Sequence, residues 1–139
     1  MEKIKKAAIN AAKPLYKTSP TILGIILLVS IMSFLIPKSA YYSLFSMDPF
    51  IDSLIGGAVG SILAGNPITS YVLGGEFLNL GVSLIAVTSF LVAWVTVGIV
   101  QLPGESLMLG KKFAILRNVL SFVFSILVAI ITITMVGLV

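Results

Sequence analysis

Asn66-Pro67 lies inside an apolar stretch where a simple membrane helix would carry neither residue. The stretch runs over 50–65, meets this pair, and resumes over 67–80. Each half holds about 14–16 residues, roughly 21–24 Å of helix, against a hydrocarbon core of about 30 Å. Two half-helices meeting at a break are therefore expected. Broken helices at membrane depth survive only where protein buries them or where they line a cavity, and in transporters they mark the substrate site.

Composition supports a membrane setting. The chain is 58% hydrophobic and only 10% charged, whereas a soluble domain carries about 25% charged residues. Mean hydropathy is +1.15. Cysteine and histidine are both absent. Disulfides, thiolate metal sites and histidine general bases are thereby removed. No catalytic residue, metal or cofactor is expected, and the chain reads as a non-enzyme.

The net charge of +4 is concentrated at the amino end, where Lys3, Lys5, Lys6, Lys13 and Lys17 face only Glu2. Such a cluster beside a first membrane segment stays cytoplasmic and touches anionic lipid. Nucleic acid is not an expected partner, since no soluble basic face exists to hold it.

Residues 1–18 read as a basic cytoplasmic amphipathic arm, interrupted by Pro14. Residues 19–139 read as one membrane domain. Ser19-Pro20 looks like a helix start, with serine as cap and proline at the first helical position. Spans are expected over about 20–36, 82–100 and 118–139, with the hairpin 50–65/67–80 between the first two. Lys38 sits where a signal-peptidase site needs a small residue, so the first span is read as retained. Tyr41, Tyr42 and Phe45 suit a membrane–water interface, and Asp48-Pro49 a helix start.

Two small-residue stripes mark the first half-helix: Gly56, Gly60 and Ala64, and Gly57, Ser61 and Gly65. Small residues at every fourth position let helices approach closely in lipid. A helix seam and backbone exposure along a substrate path are compatible readings.

Charge separates two architectures. If 50–65 crosses fully and 66–81 is a loop, the chain is a four-span bundle. Lys111, Lys112 and Arg117 then lie outside while the basic arm lies inside, against the positive-inside tendency. If 50–65 and 67–80 instead form a re-entrant hairpin from the external side, both basic regions are cytoplasmic. Asp48, Asp52 and Glu76 then gather outside. The expected fold is an all-α integral membrane protein with three full transmembrane helices and one re-entrant hairpin broken at Asn66-Pro67. Three crossings put the two ends on opposite sides. A unit of this size has little interior to enclose a path alone, so pairing with a like or homologous subunit is expected.

The stretch 65–83, reading Gly-Asn-Pro-Ile-Thr-Ser-Tyr-Val-Leu-Gly-Gly-Glu-Phe-Leu-Asn-Leu-Gly-Val-Ser, resembles the repeat core of predicted permeases of the YraQ/ArsP type. In that family a Gly-x-Pro turn precedes a short helix, a Leu-x-x-x-Gly step and an apolar span. The resemblance covers about 45 residues, to roughly Thr96, and looks like one half of the family's two-repeat protein. It implies permeation or export of a small solute. Members that handle organoarsenicals use cysteine near the turn. This chain has Ile68, Thr69 and Ser70 there, so the arsenical substrate does not carry over.

The candidate substrate-binding residues are Asn66, Pro67, Thr69, Ser70, Tyr71 and Glu76. Asn66 would cap the second half-helix, whose free N–H groups suit an anion or a polar oxygen. Thr69, Ser70 and Tyr71 add hydroxyls, and Glu76 shares a face with Thr69. Thr88, Ser89 and Thr96 are expected to bond back to their own helix. Gln101, Pro103 and Glu105 form a candidate gate at the cytoplasmic mouth, or a turn paired by charge to Lys111, Lys112 or Arg117. The expected function is a subunit of a small-solute permease in the plasma membrane, multi-pass, with a cytoplasmic amino terminus. The alternative is a non-transporting structural or assembly subunit whose glycine stripes dock another protein.

Overall fold

In this computed structural model a capping aspartate sets the start of one helix and a proline opens the next. The structure describes residues 2–35, 37, 39, 43, 45, 48–63 and 67–137. Helix α1 is Glu2–Leu35, α2 Pro49–Ile62, α3 Pro67–Asn79, α4 Leu84–Thr96, α5 Leu102–Leu109 and α6 Lys111–Val136. No strand occurs among the described residues. The side chain of Asp48 accepts from Phe50 N at 2.9 Å and Ile51 N at 3.4 Å, with Pro49 at the first position of α2. Such a cap satisfies amides that the helix itself leaves free. Pro67 opens α3, where the amide it lacks would have no partner.

Three helix boundaries differ from the segment bounds read in the sequence. The segments read as the arm 1–18 and the span 20–36 lie on one helix, because α1 continues through Pro14 and Pro20. Pro20 has no N–H for the carbonyl four residues back, which is that of Tyr16. The hydroxyl of Ser19 donates to this same carbonyl at 2.8 Å. Ser19 thus repairs a helix it was expected to start. The helix within 82–100 is shorter than that range. Helix α4 has 13 residues, about 20 Å at 1.5 Å per residue, and ends at an extended Val97, followed by a turn over 99–101. The last helix starts at Lys111 rather than near 118.

Residues 67–79 are helical, so the loop that the four-span alternative places over 66–81 is not what this segment forms. A four-residue turn joins α3 to α4. Gly81 has φ +90° there, a conformation that costs glycine little. Val82 N donates to Phe77 O at 2.9 Å and Gly81 N to Leu78 O at 3.0 Å, closing the end of α3.

Helix α4 is the centre, against which α2, α3 and α6 pack. Its Ile85, Ala86, Val87, Phe90, Ala93 and Trp94 are buried. Gly56 meets the backbone of Ala86, and Gly60 that of Phe90. Partners thus advance together along both helices, so α2 and α4 run parallel. Helix α6 runs the other way: Asn118 meets Gly98, while Ser125 and Ser89 lie together beside Gly57. Phe77, Phe90 and Trp94 form an edge-to-face ladder with centroids 5.3 and 5.4 Å apart. Helix α1 rests on α3, and α5 on α6.

Among the described residues, α6 is the one helix long and apolar enough to cross a membrane; α2 and α4 are shorter apolar helices. Only Ala114, Asn118, Ser125, Ile126 and Ala129 of α6 are buried. Phe113, Leu116, Phe124 and Ile131 are exposed on its outer surface.

Candidate functional site: an apolar cleft and a buried carboxylate

Helices α2 and α3 each lean on α4 and leave a cleft between them. Its volume is about 200 Å³, and its walls include Phe45, Ile55, Val59, Phe77, Val82 and Phe90. The floor is the close contact of Gly56 with Ala86. A side chain at position 56 would collide with the Ala86 backbone. The walls are apolar and offer no charge.

The charge lies one helical turn away, at Asp52. This residue is 1% exposed. Asp48 already caps α2, so Asp52 is surplus to that task. Its own amide donates to Asp48 O at 2.9 Å. Its Oδ2 accepts from the hydroxyl of Ser83 at 2.6 Å. Ser83 precedes α4 and makes no side-chain cap to it; its hydroxyl is committed to Asp52 instead. The other oxygen, Oδ1, is buried and meets no donor among the described residues. Asp52 was not among the expected site residues. The signal was present in the sequence: two aspartates one turn apart at one helix start, where a single cap suffices.

A second buried polar group lies deeper. Ser89 Oγ is buried without a partner among the described residues, contrary to the expected bond back to its own helix. A Cβ on Gly57 would stand 2.9 Å from Ser89 Oγ and 3.4 Å from Ser125 Oγ. Ser125 donates to Phe122 O at 2.7 Å. Thr88 and Thr96 do bond back, to Leu84 O at 2.8 Å and Val92 O at 2.7 Å.

The expected substrate residues are dispersed. Asn66 lies outside the described residues, as do Ala64 and Gly65 of the small-residue stripes. Pro67 is exposed and Thr69 half-buried. Ser70 is buried, with its hydroxyl donating to Pro67 O at 2.7 Å. Tyr71 is 66% exposed, and Glu76 is half-buried. The stripe residues Gly56, Gly57, Gly60 and Ser61 are buried on the seam of α2. Ser61 donates to Ala58 O at 2.7 Å.

At the opposite end of α4 a polar clasp holds the turn. Asn118, 6% exposed, accepts from Gly98 N at 2.8 Å and donates to Ala114 O at 2.9 Å and Glu105 Oε2 at 3.2 Å. Arg117 forms an ion pair with Glu105 and reaches Thr96 O at 3.4 Å. A cation at the carboxyl end of a helix complements its dipole. Of the three candidate gate residues, Glu105 belongs to this clasp, whereas Gln101 and Pro103 are exposed. The ion pair joins α5 to α6. Neither a family model, nor a curated protein, nor a solved structure matches this chain.

Proposed function

We propose that the chain is one half of a small-solute permease of the plasma membrane, paired with a like or homologous subunit. In this reading α1, α4 with the turn that follows it, and α6 cross the bilayer. Helices α2 and α3 enter and leave from the external side as a re-entrant pair. The amino terminus is cytoplasmic and the solute path follows the break before Pro67. The resemblance of 65–83 to the YraQ/ArsP-type repeat core points the same way.

The observation that carries the reading is the arrangement of α2, α3 and α4. Helices α2 and α3 have 14 and 13 residues, about 21 and 20 Å, short of the roughly 30 Å hydrocarbon core. They lie on a shared central helix with an open cleft between them. Broken, short helices around a cavity are the pattern of transport sites. Exposed apolar side chains along α6 suit lipid or a second subunit.

Less supports the docking alternative: Gly56, Gly57 and Gly60 pack against this chain's own Ala86, Ser89, Phe122 and Phe90.

Single-cysteine labelling tests the proposal, since the chain has no cysteine of its own. Cysteine at Asn79 should label from outside and at Lys111 from inside. Labelling of Asn79 only from inside overturns the re-entrant arrangement. Changing Asn66 or Thr69 should then abolish partner-dependent transport.

A further inference from the structure

The geometry points to a monovalent cation site at Asp52, with sodium as the probe ion. The carboxylate is 1% exposed, and burying an uncompensated charge is expensive. Its Oδ2 accepts from the Ser83 hydroxyl at 2.6 Å. That hydroxyl satisfies Oδ2 alone, leaving Oδ1 without a protein donor among the described residues.

No side chain supplies the missing positive charge among the described residues. Helix α4, packed directly on α2, carries no charged residue. Helix α3 contributes only Glu76. On α2 itself the neighbour is Asp48, at the cap. The cations of α6 are Lys111, Lys112 and Arg117, and they sit at its start. Asn118, the residue after Arg117, joins Gly98, beyond the far end of α4 from Ser83. Lys38 lies outside the described residues.

The available ligand atoms suit a hard, singly charged ion. Asp52 Oδ1 is the unengaged one; Ser83 Oγ lies on the other carboxylate oxygen at 2.6 Å, and the Asp48 carbonyl on the Asp52 amide at 2.9 Å. All are oxygens, the preference of alkali and alkaline-earth cations. One carboxylate balances one positive charge, which favours sodium over calcium or magnesium. The site joins the start of α2 to the start of α4, one turn from the cleft floor at Gly56. An ion there ties together two walls of the cleft. Its use as a coupling ion rests on the permease reading; the binding itself does not.

Melting of the purified full-length protein in detergent tests the site. Sodium chloride should raise Tm over equimolar choline chloride, saturably, by about 5 °C at tenfold the Kd. Asp52→Asn should abolish the rise, and Ser83→Ala should shift it to higher sodium concentration. Identical Tm in sodium, potassium and choline overturns the proposal, as does an unchanged sodium effect in Asp52→Asn. If Asp52→Asn does not fold, radiolabelled sodium binding to the unaltered protein decides: stoichiometric uptake supports the site and none overturns it. The labelling experiment uses no sodium gradient, so the two readings fail separately.

Discussion

A methyl group on Gly60 would overlap the backbone carbonyl oxygen of Phe90 and stand 3.1 Å from its Cα. The two helices touch backbone to backbone, with no side chain to yield. Gly60→Ala should therefore lower stability by about 1–3 kcal/mol, the usual cost of overpacking. At Gly75, also helical, a methyl group would meet nothing within 4 Å. Gly75→Ala should be neutral or stabilising by about 0.5–1 kcal/mol, through backbone entropy. Thermal melts of both variants check this, and equal Tm values would contradict the seam.

Asn118→Ala should destabilise more than its exposure to any ligand could explain. It removes the acceptor for Gly98 N and a donor to Glu105. A buried polar group left without a partner costs about 1–3 kcal/mol. Ser106 bonds to Leu102 O of its own helix, so Ser106→Ala should change Tm little. A melt in which the two variants behave alike would mean that the clasp does not hold the turn.

Phe90→Ala should cost about 3–5 kcal/mol, since Phe90 is fully buried between Phe77 and Trp94. Trp94 is the chain's one tryptophan and reports on the same place. Its emission should move to longer wavelength as water or detergent enters the void. An unshifted spectrum with wild-type Tm would refute the ladder.

Local signals in the sequence were readable. Asp48-Pro49 starts α2, Pro67 starts α3, and Gly56 and Gly60 lie on a seam, because caps, prolines and small residues act within a turn of themselves. Pairings across the chain were not readable. Ser83 meets Asp52 from 31 positions away, and nothing near either residue announces the other. The break at Val97 depends on Asn118, on a different helix, so 82–100 reads as one unbroken apolar run. Ser19-Pro20 reads as a start because the same two residues can open a helix or, with the hydroxyl turned back to Tyr16, carry one through.

That last pair gives a double-mutant test. Ser19→Ala should cost about 1 kcal/mol in the unaltered background, since the Tyr16 carbonyl loses its donor. With Pro20→Ala present, the alanine amide supplies that donor, and Ser19→Ala should become nearly silent. Melts of the two single variants and the double variant measure the coupling. Additive losses would mean that the Ser19 hydroxyl does not serve this carbonyl.

An uninterrupted α1 has a mechanical consequence. Its 34 residues make a rod of about 51 Å, and the stretch bearing Lys3 to Lys17 is one piece with the stretch beyond Pro20. The basic segment meets the apolar one within a continuous helix, across Pro14 and Pro20. A torque applied at the lysines, by anionic lipid or anything else that grips them, is carried along the rod to α3, the helix on which α1 rests.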